Sequence, residues 1–275
     1  MNAYHFPALP LAAWQATRAT LHGYANVLGD VRAALSPRHK HSAHRSLRLA
    51  AAGLTTTPIP HGALTFELLL DLASHRVLIT NSRGEQWQQP VRGQPAGDFC
   101  DQVLGGLALM GVRPPVDRDK FARLAPGPYD PAAVERFWLA LKQVDGLLKR
   151  FRGELRGETG DVQFWPHGLD LAMLWFSGRL IPGQDPNSPR DADEQMNFGF
   201  STGDGGIPEP YFYATAYPLP AALPGAPLPE GVVWHNQGWQ GAVLRYAALV
   251  EDSNAGERLV NYWSVVQSAG AGLMK

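Results

Sequence analysis

The chain has 275 residues, a mass of 30.0 kDa and a formal net charge of −1 at pH 7. Its composition, 45% hydrophobic and 18% charged, excludes a disordered chain, and the near-neutral charge argues against a general nucleic-acid-binding protein. The single cysteine, Cys100, excludes a disulfide framework and a cysteine-based zinc site. The apolar runs are too short to cross a bilayer and the N-terminus lacks the basic start of a secretory signal, so a cytoplasmic protein without a membrane partner is expected.

Hydrophobic periodicity predicts a helix from Leu11 to Leu35, which ends before Pro37. Apolar runs between turn residues predict three strands, at 46–54, 63–71 and 75–81. A second helix follows, with Asp98 as its N-cap and Gly111 as its stop. The Pro-rich stretch after Gly111 indicates a linker.

The second half of the chain repeats this order of elements. Asp130-Pro131 predicts the start of a helix whose apolar stripe continues to Phe151. Four strand-like runs come next, at 162–178, 195–201, 211–217 and 231–247. The stripe of Leu259, Trp263 and Val266 predicts a closing helix.

The two halves also share residues at a constant offset. Shifted by 122 residues, 46–50 lies over 168–172, and Ile59-Pro60 lies over Ile181-Pro182 without a gap. This agreement predicts an internal duplication. The expected fold class is α+β, with two pseudo-duplicated helix–antiparallel strands–helix repeats merged into one body. The predicted domains are a first repeat, a Pro-rich linker and a second repeat, at 1–112, 113–129 and 130–275.

Three histidines crowd between the first helix and the first strand, and two of them, His41 and His44, are candidate binding residues. They would hold a metal or an anion; alternatively, the segment is an exposed basic loop, because a His-x-x-His pair shares a face only in a helix. The stretch 32–48 carries five Lys or Arg residues and no carboxylate, which suits a phosphate or carboxylate ligand. The same charges could instead pair with the acidic stretch 185–209.

A second cluster contains His167 and Asp170. His167 follows a proline at the start of a strand, and an imidazole titrates near neutral pH, so His167 is a candidate catalytic base. Residues three apart in a strand face opposite sides, so His167 and Asp170 form a dyad only if the turn rotates the histidine. The alternative for Asp170 is a buried ion pair with Arg48, which occupies the equivalent place in the first repeat.

A third cluster surrounds the Gly-rich segment between two aromatic strands. Asp204 is predicted to bind a ligand from this loop, and Glu209 to act with His167 in catalysis. The floor of the site would be formed by three strand residues, of which the first two are candidate binding residues: Asn197, Tyr211 and Tyr213. The alternative is that Asp204 caps the turn while Glu209 is a solvated charge.

Several runs of this sequence resemble a bacterial family of uncharacterised proteins, a domain of unknown function, from about residue 7 to residue 250. The runs that carry the resemblance are PALPLAAW (7–14), GLTTTPIPHG (53–62), FW with QVD (137–145), FWPHGLDLA (164–172), NFGFSTGD (197–204) and IPEPYFYATAYP (207–218). Members of that family often have SPGD where this chain has residues 201–204, and they commonly keep two histidines spaced like His41 and His44. The resemblance implies no activity, substrate or cofactor.

Two functional interpretations follow. The first is a small-molecule-binding protein or enzyme with a polar and aromatic cleft in the second repeat, whose ligand is anionic if the basic stretch takes part. The second is a non-catalytic binding or assembly module that uses an aromatic strand surface. Histidines and carboxylates without cysteine would suit zinc, manganese or iron(II), but no spacing here is diagnostic, so no metal site is predicted. The cofactor, the oligomeric state and whether the chain is an enzyme are left open.

Overall fold

A computed structural model describes residues 4–122, 127–186, 188 and 192–274. Parts of the predicted linker and of the acidic stretch, residues 123–126, 187 and 189–191, lie outside the described residues. The chain forms two compact units that alternate along the sequence. The N-terminal unit comprises Trp14–Trp138 and Gln163–Leu169, and the C-terminal unit comprises Met1–Ala13, Leu139–Val162 and Asp170–Lys275.

The N-terminal unit contains helices and a meandering antiparallel sheet. Its helical segments belong to α1 (Leu11–Leu35), α2 (Ala96–Leu109), α3 (Asp119–Ala122) and α4 (Pro131–Glu154). Its strands are β1 (Arg48–Leu49), β2 (Gly53–Thr55), β3 (Ile59–His61), β4 (Leu64–Asp71), β5 (Arg76–Asn81), β6 (Gln86–Pro90) and β7 (Gln163–Trp165). The sheet order is β1-β2-β4-β5-β6, and β3 also pairs with β4. A bridge between Leu47 and Phe164 brings β7 beside the segment that precedes β1.

The predicted strand at 46–54 is wrong as a single strand. The chain turns back between β1 and β2, where the backbone N–H of Ala50 donates to the carbonyl of Gly53. Gly53 suits this turn because a Cβ there would overlap the carbonyl oxygen of Leu70. The corresponding residues after Asp170 form one uninterrupted strand, so the duplication is not confirmed and stays a prediction, as do the repeat boundaries.

The C-terminal unit contains a second antiparallel sheet and the rest of its helical structure. Its elements are β8 (Asp170–Leu180), β9 (Asp193–Ser201), β10 (Tyr211–Tyr217), β11 (Val232–His235), β12 (Gly241–Arg245), α5 (Ala255–Leu273) and the later turns of α4. Within the unit the strands follow the order β8-β9-β10-β12-β11. The predicted strand 162–178 is interrupted before β8 at Leu169, whose φ is 53°, and 231–247 is interrupted at Gly238, whose φ is 83°. With both helices and antiparallel sheets present, the fold class is α+β.

One face of the C-terminal sheet is apolar, because side chains alternate along each strand. Phe198 on β9 packs edge-on against Phe151 of α4 at 5.0 Å between ring centroids, and Phe151 also contacts Trp263 of α5 at 5.7 Å. These three aromatic side chains are fully buried. The opposite surface, called the polar face below, carries polar side chains from three adjacent strands: Asp170, Gln195, Asn197, Ser201, Tyr211 and Tyr213. Among the described residues, no helix is both long and apolar enough to cross a membrane.

Candidate functional site

Strand register assembles the polar face. Ser201 of β9 lies directly between Asp170 of β8 and Tyr211 of β10, and two residues along β9, Gly199 lies beside Tyr213. A Cβ on Gly199 would lie 2.5 Å from the Tyr213 ring and 2.6 Å from the carbonyl oxygen of Leu171, so glycine leaves the space that the Tyr213 ring occupies. The phenol therefore lies across β9 and reaches β8.

Tyr213 connects two polar side chains. Its hydroxyl donates to Oδ2 of Asp170 at 2.8 Å, and it also hydrogen-bonds with the side chain of Asn197. The side-chain oxygen of Asn197 is buried without a hydrogen-bond partner among the described residues, and so is that of Gln195, two residues along β9. Buried amide oxygens normally accept at least one hydrogen bond. This region of the polar face therefore has unused acceptors.

Burial shifts the pKa values of Asp170 and Tyr213. Burial raises the pKa of Asp170 to about 6, although the hydrogen bond from Tyr213 favours its charged form. The pKa of Tyr213 is raised well above its usual range by burial and by the charge of Asp170. Tyr213 thus stays a hydrogen-bond donor, while Asp170 can hold or release a proton near neutral pH. The predicted ion pair between Asp170 and Arg48, which belongs to the other unit, stays a prediction.

Asp204 binds both its own loop and a strand residue. Its Oδ1 accepts from the backbone N–H groups of Gly206 at 2.7 Å and Ile207 at 2.8 Å, and its Oδ2 accepts from the hydroxyl of Tyr211. Burial alone would raise the pKa of Asp204, but these three hydrogen bonds outweigh it and lower the pKa. The carboxylate therefore caps the turn, as one of the two sequence interpretations held, and it also fixes the Tyr211 phenol.

Two aromatic rings, not predicted as site residues from the sequence, cover part of the polar face. Trp239, in the turn between β11 and β12, stacks on Tyr211 with 6.0 Å between ring centroids and 23° between planes. The ring centroid of His235, at the end of β11, lies 4.5 Å from that of Trp239, and Nε2 of His235 contacts the carbonyl of Gln237 at 2.8 Å. No periodic pattern marks Trp239, because it lies in a turn rather than in a strand.

Glu209 lies in the same loop as Asp204 and forms an ion pair. Its Oε1 lies 2.9 Å from Nη1 of Arg245 at the end of β12, and 46% of its side chain is exposed. An ion pair at this exposure contributes little to stability. The pair leaves Glu209 next to the polar face, and the catalytic role predicted for it stays a prediction.

His167 belongs to the N-terminal unit, in the turn that follows β7. Its backbone carbonyl contacts Nε2 of His22 on α1 at 2.9 Å, while His167 itself is only partly buried. Burial and the nearby charge of Arg45 lower the pKa of His167. A common site that contains both His167 and Glu209 stays a prediction.

His41 and His44 lie in an irregular 3-10 segment, Lys40–Arg45, of the N-terminal unit. His41 and Ser42 have φ values of 53° and 58°, in the left-handed region that non-glycine residues rarely adopt, so the two histidines are not displayed on a regular helical face. His44 Nδ1 accepts from the backbone N–H of His39 at 3.2 Å. Its pKa is lowered by burial and by the charge of Arg45.

The structure thus brings together Asn197, Asp204 and Tyr211 of the predicted binding residues on one unit, and His41 and His44 on the other. Within the part of the chain that the structure describes, no three His, Cys, Asp or Glu side chains are placed to hold a metal ion. The class of protein defined here is an α+β protein with one helix-packed sheet face and one polar, aromatic face.

The chain belongs to a family of unknown function, DUF5996, whose model matches residues 6–275. This match confirms the predicted resemblance to an uncharacterised family. Comparison with curated proteins finds no match, and comparison with solved structures finds none either.

Proposed function

We propose that this chain is a cytoplasmic small-molecule-binding protein whose ligand occupies the polar face of the C-terminal sheet. The observation that carries the proposal is the Asp170–Tyr213–Asn197 network, in which a partly buried carboxylate lies close to a buried amide oxygen that has no hydrogen-bond partner among the described residues. Buried acceptors without donors are energetically unfavourable, and a ligand that supplies the missing hydrogen bonds would remove this cost.

The ligand class follows from the charge and shape of this surface. Asp170 is mostly ionised at neutral pH, and the hydroxyl of Tyr213 donates to it. A protonated amine would neutralise this carboxylate and donate to the Asn197 oxygen. The ring of Trp239, which is partly exposed and stacks on the buried ring of Tyr211, offers an apolar surface on the same face, which suits a flat apolar group. The proposed ligand therefore carries an ammonium group next to a flat apolar moiety.

The test compares two probes with the same ring and different charge. We expect 2-phenylethylamine to bind the purified chain more tightly than 2-phenylethanol, as measured by titration calorimetry at pH 7.5. Asp170→Asn keeps the shape of the side chain and removes its charge, so the affinity for the amine should fall about tenfold to a hundredfold, the value of one charge-assisted hydrogen bond. The affinity of the wild type should also rise as the pH increases through about 6, where Asp170 ionises.

Glu230→Gln is the matched control, because Glu230 is an exposed carboxylate of the same unit. It should leave amine binding unchanged. Equal affinity for the amine and the alcohol, or an equal loss in Asp170→Asn and Glu230→Gln, would reject a specific ammonium site and leave only general charge attraction.

An enzymatic role is a second candidate, favoured by the Asp170 pKa. A carboxyl with a pKa of about 6 can both accept and donate protons at neutral pH, as a general acid–base catalyst must. Turnover of the bound amine, followed by NMR over hours and abolished in Asp170→Asn, would support this role. His167→Gln and Glu209→Gln belong in the same assay, because both residues were predicted to be catalytic from the sequence.

The assembly-module interpretation has separate support. Tyr217 at the end of β10 is 42% exposed and Val233 on β11 is 54% exposed, and both lie on the polar face. If this surface joins two copies of the chain, sedimentation at increasing concentration will detect a dimer that Tyr217→Ser weakens. A monomer at all concentrations would favour the small-molecule proposal.

A further inference from the structure

Three segments of the N-terminal unit converge near the end of β7. The backbone of Leu47 exchanges hydrogen bonds with Phe164 at 2.8 and 3.0 Å, and Ser46 Oγ donates to the side chain of Gln163 at 2.5 Å. A Cβ on Gly29 of α1 would lie only 2.9 Å from the ring of Pro166, so the helix passes very close to the turn after β7. Side chains from α1, from the 3-10 segment and from this turn therefore meet in one region.

The side chains that meet there are arginines and histidines. Arg45 lowers the pKa of both His44 and His167 through its charge, and Arg32 also lowers the pKa of His44. Arg32 is itself half-buried, and its guanidinium donates to the backbone carbonyl and the hydroxyl of Ser46. These four residues, Arg32, His44, Arg45 and His167, are called the basic cluster below.

Acidic residues are scarce in the segments that form the basic cluster. Residues 32–48 and 163–169 contain no Asp or Glu, and α1 contains one, Asp30. The Oδ2 of Asp30 lies 2.6 Å from Nζ of Lys120, so this carboxylate is already paired. The positive charge of the arginines disfavours protonation of the histidines in the free protein, and an anion bound among them would offset that charge.

We propose that the basic cluster binds a phosphate group. Arg45 and His167 are exposed at its surface, and a guanidinium presents paired N–H donors that match two phosphate oxygens. His44 contributes in its neutral form, because its Nδ1 accepts from the backbone N–H of His39 and its Nε2–H remains able to donate. Arg32 is a positioning residue that holds Ser46 and so orients the segment. This site shares no residue with the proposed amine site, since all its residues belong to the N-terminal unit.

The experiment titrates the full chain with inorganic phosphate and with glycerol 3-phosphate, at an ionic strength kept constant with sodium chloride. We expect both to bind better than chloride, and Arg45→Gln to weaken binding about tenfold to a hundredfold, the effect of one charge-assisted hydrogen bond. Arg83→Gln replaces an exposed arginine of the same unit and should have no effect. Tighter binding of the ester would favour a phosphomonoester as the ligand, tighter binding of inorganic phosphate would favour free phosphate, and equal binding would show that the site recognises the phosphate group alone.

NMR titration of the histidine rings supplies a readout that does not depend on a variant. Phosphate should raise the pKa of His44 and of His167, while the ring signals of His61, which lies on β3, stay unshifted. The charged and titratable groups that face the two rings are Arg32, Arg38, Arg45 and His22, and Arg45→Gln should raise the pKa of both rings without phosphate. Phosphate that binds no better than chloride, or that binds Arg45→Gln and the wild type equally, would overturn the proposal.

Discussion

Asp170→Asn is expected to become more stable, relative to the wild type, as the pH rises from 3 to 7. Burial raises the pKa of Asp170 from an ordinary 3.8 to about 6, so the folded state binds a proton more tightly than the unfolded state does. The wild type is therefore most stable, as far as Asp170 is concerned, below about pH 4, where this carboxyl is protonated in both states. Its free energy of unfolding decreases as the pH rises through about 6, because the folded state must then ionise Asp170 against the effect of burial. A shift of this size corresponds to about 3 kcal/mol, and asparagine removes the dependence because it does not ionise.

The measurement is urea unfolding of wild type and variant at a series of pH values from 3 to 8. Asp204→Asn is the matched comparison, and its effect should have the opposite sign. Hydrogen bonds lower the pKa of Asp204, so its stabilising contribution is present above about pH 4 and is lost as the pH falls. Stability curves of Asp170→Asn and the wild type that run parallel across this range would mean that Asp170 is not buried as described.

Gly199→Ala is expected to destabilise the chain by about 2–3 kcal/mol, near the upper end of the usual range for overpacking. The new Cβ would lie 2.5–2.6 Å from the ring and hydroxyl of Tyr213 and 2.6 Å from the carbonyl oxygen of Leu171. The carbonyl belongs to the backbone of β8 and cannot turn away, so the Tyr213 ring must move. Its hydrogen bond to Asp170 would then be lost together with any ligand binding that depends on it.

Gly205→Ala is the control for this substitution. Gly205 lies in the loop between β9 and β10, and an added Cβ would meet nothing within 4 Å. Its free energy of unfolding should stay within about 0.5 kcal/mol of the wild type, as for most surface substitutions. Thermal and urea unfolding measure both variants, and a Gly199→Ala chain as stable as Gly205→Ala would show that Tyr213 does not lie across β9.

Amino-acid periodicity predicted most of the regular elements because the signal for each one is local. The apolar residues of α1 and α4 recur at helical spacing, and Pro37 and Asp130-Pro131 mark one end of each. Two strands lacked such a signal. Ile59–His61 contains a proline, and Gln86–Pro90 has a single large apolar residue, Trp87, among glutamines, so neither carries the alternation that identifies a strand.

Part of the candidate site was also predictable. Asn197, Asp204 and Tyr211 were selected because a Gly-rich loop joins two strands and so brings residues near their ends together. Two members of the central network were given other roles from the sequence. Asp170 was predicted as a possible partner of Arg48, and Tyr213 as part of the floor of the site. The hydrogen bond between them crosses β9, and its existence depends on which residues of three strands lie opposite each other.

The sequence by itself determined the α+β composition of secondary structure, the family and the alternation of apolar and polar residues that gives the C-terminal sheet two different faces. Only the tertiary structure decided that Asp170 meets Tyr213 across Gly199, that Trp239 stacks on Tyr211, and that burial raises the pKa of one carboxylate while hydrogen bonds lower that of another. The physical reason is that side-chain alternation arises within a single strand. Register, burial and pKa arise from residues that are distant in the chain, and a shift of one residue in register would move every side chain of a strand to the opposite face.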